Sequence, residues 1–164
     1  MILIIVIIVI IVIIVIMLLV LLNIYFYYQS MRSVDKDLQK FNWNHLKKEE
    51  YLKKCYSYVG DRFGMVKHCW IYLPWRNFFY RNMWKMKGKG LPCHVYTFFF
   101  NRCLQKKFSK KDIKIIFAAD RAKNIVVHFY TKVKLDGKWL NADVWGKRRG
   151  LPFGKNIHDS KWKR

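Results

Sequence analysis

Three residues of this chain have the types and spacing needed for nucleophilic catalysis: Cys93, His128 and Asp143. A cysteine thiolate attacks carbonyl carbon, a histidine takes and returns a proton near neutral pH, and an aspartate fixes a histidine ring in one orientation. Cys93 follows the loop Gly88-Lys89-Gly90-Leu91. A helix beginning near Pro92 puts it in the first turn, where the helix dipole favours the thiolate. Asp136-Gly137 is a strong two-residue hairpin signal. With Leu135 opposite Lys138, Tyr130 would face Asp143 and His128 would face Trp145. His128 and Asp143 then share one side of the ladder as diagonal neighbours, about 7–8 Å apart at the backbone. Spacings of 35 and 15 residues suit one helix followed by a small sheet.

Each residue also has a simpler reading. A buried cysteine is usually an inert core residue, a strand histidine is commonly structural, and Asp143 could be an exposed strand residue. Cys103, on the buried body of the same helix, reads as core. His94 is a rival base, but it is adjacent to Cys93 and points about 100° around the helix. The doublets His68-Cys69 and Cys93-His94 could supply metal ligands, yet none of Cys55, Cys69, Cys93 and Cys103 forms a CxxC pair, and adjacent residues rarely converge on one ion. A second oxyanion donor, beside the Cys93 backbone N–H, is a choice between Trp75 and Trp84.

The elements that would position these residues read as three helices followed by strands. Asn44 to Val59 places Leu52, Cys55, Tyr56 and Val59 on one helical face, with Glu49 and Glu50 four residues before Lys53 and Lys54. A second helix opens at Pro74 and carries Trp75, Phe78, Phe79, Met83 and Met86 as its buried stripe, with Gly88 to cap its end. The helix from Pro92 is apolar nearly all round and should be central. The period then becomes alternating: Ile113 to Ala119 is a strand, and Ile125 to Leu135 a second with Ile125, Val127, Phe129, Val133 and Leu135 on one face. Lys138 to Trp145 is the returning strand. Residues after Gly154 read as a loose tail.

The N-terminus sets where this domain works. Ile2 to Leu22 is an unbroken apolar run of 21 residues, which as a helix extends roughly 31 Å and matches a hydrocarbon core of about 30 Å. Tyr25, Phe26, Tyr27 and Tyr28 follow as an interfacial belt. The run exceeds a signal-peptide core and lacks a basic leader and a cleavage site, so a retained anchor is expected. All 32 basic and all 10 acidic residues lie beyond it, so the body carries the whole formal charge of +22. The positive-inside rule places that body in the cytoplasm, where a disulfide framework is not expected. The expected divisions are an anchor with its aromatic flank (1–30), a basic domain (31–154) and a basic tail (155–164). Such a charge attracts anionic lipid or an acidic protein. A nucleic-acid binder would need exposed aromatics among its basic residues, whereas these aromatics fall at core spacing.

The segments GKGLPCHVYTFFFNRCL and IVVHFYTKVKLDGKWLNADVWG resemble the transglutaminase-like superfamily, whose core is papain-like. That pattern is a glycine-containing loop leading into a Cys at a helix start, a His on a strand, a "dG-W" turn, and an Asp just after the Trp. The resemblance covers roughly residues 88–145, and HFYTKVKLDGKWLNADVW is its most specific part. The chain departs from the pattern in its aromatic-rich helix, at Phe129 after the His and at Val144 after the Asp. The resemblance implies an α+β, papain-like domain behind the transmembrane helix. It assigns Cys93 as nucleophile, His128 as general base and acid, and Asp143 as orienting carboxylate. The expected reaction is acyl transfer or hydrolysis of a protein or peptide amide through a Cys93 thioester, without metal or organic cofactor. The rival expectation is a non-catalytic, membrane-anchored basic protein that grips anionic lipid or an acidic partner.

Overall fold

The apolar run winds into α1, Ile2–Gln39, a single helix of 38 residues. The computed structural model describes residues 2–65, 82–120 and 125–158. From Leu3 to Leu22 the apolar side chains are exposed, and the helix is long and apolar enough to cross a membrane. Beyond this stretch α1 becomes part of the domain. Ser30, Met31, Val34 and Leu38 recur every one to four residues on one side and are buried. Asp35 accepts from Arg102 Nε and Nη2 through its two carboxylate oxygens, at 3.1 and 2.5 Å, and pairs with Lys106 at 2.9 Å. Asp37 accepts from Trp84 Nε1 at 2.8 Å and Arg62 Nη2 at 3.2 Å. Partial burial works against the charge of Asp37, but the Trp84 and Lys40 hydrogen bonds and the nearby Arg62 outweigh it, and its pKa falls.

Helix α2, Lys48–Arg62, starts where Glu50 accepts from the Lys47 backbone N–H at 3.2 Å. The expected stripe Leu52, Cys55, Tyr56 and Val59 is buried, and Glu49 pairs with Lys53 at 2.6 Å. A short parallel pair follows, β1 (Gly64–Met65) with β2 (Gly90–Leu91). The expected Pro74 helix falls largely outside the described residues; Met83–Lys85, near its end, form a single 3₁₀ turn. Helix α3, Cys93–Leu104, begins directly after Pro92. Val95, Tyr96, Phe99, Phe100, Cys103 and Leu104 are all buried, so α3 is the central helix that α1, α2 and the sheet enclose.

The sheet is antiparallel with strand order β3 (Ile113–Asp120), β4 (Ile125–Leu135), β5 (Lys138–Ala142). Leu135 pairs with Lys138 and Thr131 with Ala142, the register expected from Asp136-Gly137. Both turn residues have positive φ, 48° and 81°, as the mirror-image hairpin turn requires. Thr131, Val133 and Leu135 are buried, and Thr131 Oγ1 donates to Asn101 Oδ1 on α3 at 2.9 Å. Two expectations need correction here. The returning strand ends at Ala142, not Trp145, because Asp143 caps a short helix, α4, Val144–Lys147. The stretch after Gly154 is not loose as far as it is described. Gly154 bridges to Asn141, and Asn156 and Ile157 are buried. The architecture is therefore α+β: a long apolar N-terminal helix, further helices and a small three-stranded antiparallel sheet.

Candidate functional site

His128 lies on β4 three residues before the first rung shared with β5, and its side chain is 1% exposed. Its Nε2 lies 2.7 Å from Asp143 Oδ2, and the Asp143 side chain is fully buried. The local fold explains why a carboxylate can be buried there. Asp143 leaves the strand and its Oδ1 accepts from the Gly146 N–H at 2.8 Å, the capping bond of α4. Its Oδ2 accepts in addition from the Ile157 N–H at 3.1 Å. Two backbone donors and one imidazole thus replace the water that burial removes, and hydrogen bonds to a charged group are worth about 1.5–3 kcal/mol each. The Tyr56 hydroxyl of α2 shares its proton between the carbonyls of Asp143 and Leu151, at 3.2 and 3.3 Å. Burial, and secondarily the Asp143 charge, push the Tyr56 phenol well up, so it stays neutral.

Gly146 is a packing requirement of this cap. A Cβ there would meet Leu151 Cδ1 at 2.5 Å, Asp143 Cγ at 2.8 Å and Asp143 Oδ2 at 2.9 Å. Around the imidazole stand Tyr130 (6.0 Å, nearly parallel), Trp145 (5.3 Å) and His158 (5.8 Å). Trp145 is 6% exposed and its indole N–H has no acceptor among the described residues. The Arg149 guanidinium lies over that indole at 4.5 Å.

Cys93 is the first residue of α3 and is 3% exposed. Thr97, one turn on, sets this helix start against β4. Its hydroxyl shares one proton between the carbonyls of Cys93 and Phe129, both at 3.0 Å, and Phe129 is the neighbour of His128. The structure therefore shows His128 and Asp143 in direct contact and brings the backbone of Cys93 alongside the same strand. With Nε2 directed at a carboxylate, the neutral imidazole carries its lone pair on Nδ1. No family model, curated protein or solved structure matches the chain. What this site can do follows from its own chemistry.

The rivals fall into place. His94 packs edge-on against Phe98 and Phe129, at 6.1 and 6.0 Å, and burial pushes it down to about 4, which leaves it a poor base for a thiol. Cys55 and Cys103 are free, fully buried thiols, and burial raises Cys103 well above the usual thiol range. Trp84 does not serve as an oxyanion donor because its N–H is bound to Asp37; Trp75, His68 and Cys69 lie outside the described residues. Among the described residues no three His, Cys, Asp or Glu side chains cluster as a metal site. Sequence reasoning missed Thr97, Gly146 and the Ile157 N–H. Of these, only Asp143-x-x-Gly146 left a trace, as an N-cap followed by a small residue at N3.

Proposed function

We propose that this chain is a membrane-anchored thiol enzyme of transglutaminase-like type, acting on an amide with Cys93, His128 and Asp143 as its working residues. The observation that carries this reading is the fully buried 2.7 Å contact between His128 Nε2 and a carboxylate held by two backbone N–H groups. Such a carboxylate fixes the ring and stabilises imidazolium. In the proposed reaction, the Cys93 thiolate forms a bond to the amide carbon, and the tetrahedral intermediate collapses with loss of the C–N bond. The His128 imidazolium gives its Nδ1 proton to the departing amine, leaving a thioester. Water or a second amine then attacks, its proton passes to Nδ1, and the C–S bond breaks to release Cys93. Cys93 is the first residue of α3, the end of a helix at which a thiolate is favoured. The excess of basic residues after Leu22 favours a cytoplasmic domain.

A second reading, a non-catalytic basic protein gripping anionic lipid or an acidic partner, is favoured by one observation. Cys93 and His128 are only 3% and 1% exposed, so a substrate carbonyl reaches them only after covering groups move. One experiment separates the two. The full chain in nanodiscs is treated with iodoacetamide near pH 6–7 and each cysteine is mapped by mass. The enzyme reading expects Cys93 to react at least about tenfold faster than Cys55 and Cys103, with the advantage lost in His128→Ala. Equal slowness of all three thiols in the folded protein would overturn it.

A further inference from the structure

The continuity of α1 fixes the depth at which one corner of the domain sits. Tyr27 is five residues past Leu22, about 7.5 Å along the axis, which is the depth of a headgroup layer about 5–8 Å thick. The Tyr27 ring lies edge-to-face on Phe98 of α3 at 5.8 Å, so that part of α3 is held at headgroup level. Here α1, α3 and β3 border an open groove of about 570 Å³, with Tyr28, Arg32, Arg102 and Ile115 on its walls. Arg32 lies over the Tyr28 ring at 5.0 Å. Arg102 and Lys106 share the single carboxylate of Asp35, so with Arg32 three cations face one anion.

Beside the groove, the edge strand β3 carries Ile115 and Phe117 on the side of the sheet shared with Thr131 and Phe129, apolar and reaching past the cover of α3 where a water-facing edge is ordinarily polar. Ile115 is 45% exposed and Phe117 61%. Rings link this side back to the belt: Phe117 to Phe129 at 5.0 Å, Phe129 to His94 at 6.0 Å, and His94 to Phe98 at 6.1 Å. An apolar strip rimmed by cations at headgroup depth has the amphipathic order of a phospholipid.

We propose that this groove and the Ile115/Phe117 strip bind an anionic phospholipid and seat the domain flat on the leaflet beside its own anchor. The phosphate lies at Arg32, and the acyl region lies along Tyr27, Phe98 and Ile115. A water-borne protein at this depth would have to displace lipid, and the groove's excess of positive charge selects an anionic headgroup. The site is independent of whether Cys93 reacts.

The test uses the full chain in nanodiscs containing a phosphatidylglycerol with a photoreactive acyl chain, with the adducts mapped by mass. Adducts are expected on residues 27–32, 98–105 and 115–117. Ile115→Asp with Phe117→Asp, at exposed positions, removes those on β3. Arg32→Gln, also exposed, lowers labelling by about fivefold, the effect of one basic residue at an anionic surface. Lys40→Glu, just past the end of α1 and about 27 Å from Leu22, leaves labelling unchanged. Adducts confined to residues 2–22, equal labelling by a zwitterionic probe, or copy-to-copy crosslinks at 115–117 in place of lipid would overturn the proposal.

Discussion

Replacing Gly146 by alanine perturbs the site without altering Cys93, His128 or Asp143. The new methyl would sit 2.5 Å from Leu151 Cδ1, 2.8 Å from Asp143 Cγ and 2.9 Å from Asp143 Oδ2. Leu151 can yield, because the atom met is the end of a rotatable side chain. Asp143 cannot yield freely, because its oxygens are bound to Gly146 N–H, Ile157 N–H and His128. Overpacking a filled site costs about 1–3 kcal/mol, and weakening one charged hydrogen bond adds about 1.5 kcal/mol or more. A total loss of about 2.5–4.5 kcal/mol lowers the melting temperature by roughly 8–18 °C for a domain of this size. Gly60→Ala is the internal comparison. Its Cβ meets Lys147 Cδ at 2.7 Å, a flexible chain whose partner Asp61 is 62% exposed. Displacing that pair costs at most about 1 kcal/mol, and alanine in a helix returns about as much, so Gly60→Ala should be nearly neutral. Thermal unfolding of the two variants in detergent, followed by tryptophan fluorescence, reads the difference directly. If Gly146→Ala melts with the parent and Gly60→Ala does not, the carboxylate is not held as described.

Two further outcomes follow from charges elsewhere in the fold. Burial holds His94 near 4, against 6.5 for a free histidine, so the unfolded chain takes up this proton first. The associated stability is complete above about pH 6.5 and is lost as the pH falls toward 4, by at most about 3 kcal/mol; His94→Phe should flatten that part of a melting-temperature profile, and an unchanged slope would refute the assignment. Asp37→Ala leaves the Trp84 N–H without its acceptor and takes one of three from Arg62, which keeps the Trp84 carbonyl and the Tyr58 hydroxyl, and should cost about 2–3 kcal/mol, whereas Asp37→Asn, which keeps an acceptor for Trp84, should cost about half as much; equal losses in denaturant titrations would show that the hydrogen bond to Trp84 contributes little.

Periodicity and turn chemistry made much of this fold legible from residues alone. The Leu52/Cys55/Tyr56/Val59 face, the start of α3 at Cys93 and the Leu135–Lys138 register all express local rules, and all are present. His128 and Asp143 do meet, as the expected hairpin suggested, but Asp143 reaches the ring from the cap of α4 and not from a rung of the ladder. What escaped depends on contacts distant in sequence. Nothing local to Asp143 says that it leaves the strand to cap Gly146, or that Ile157 returns to donate to it. The Trp84 N–H looked available until Asp37, 47 residues away, proved to hold it. Thr97 reads as a helix residue like any other, yet its hydroxyl joins α3 to β4. The stretch from Gly154 to Ile157 looked like tail because the residues it meets, Asn141 and Asp143, lie in chain already passed.

For the proposed enzyme, the unbroken course of α1 from Ile2 to Gln39 has a consequence for the search for substrate. A catalytic head on a slack linker sweeps a hemisphere and samples the whole volume above its membrane. Here the last turns of the same helix are themselves the wall of the core, at Ser30, Met31, Val34 and Leu38, so a head anchored by that helix would keep a fixed altitude and a fixed tilt. Its encounters would be two-dimensional: reaction rates would scale with the areal density of partners carried by the same leaflet, and a target free in bulk solution would gain nothing from the tether.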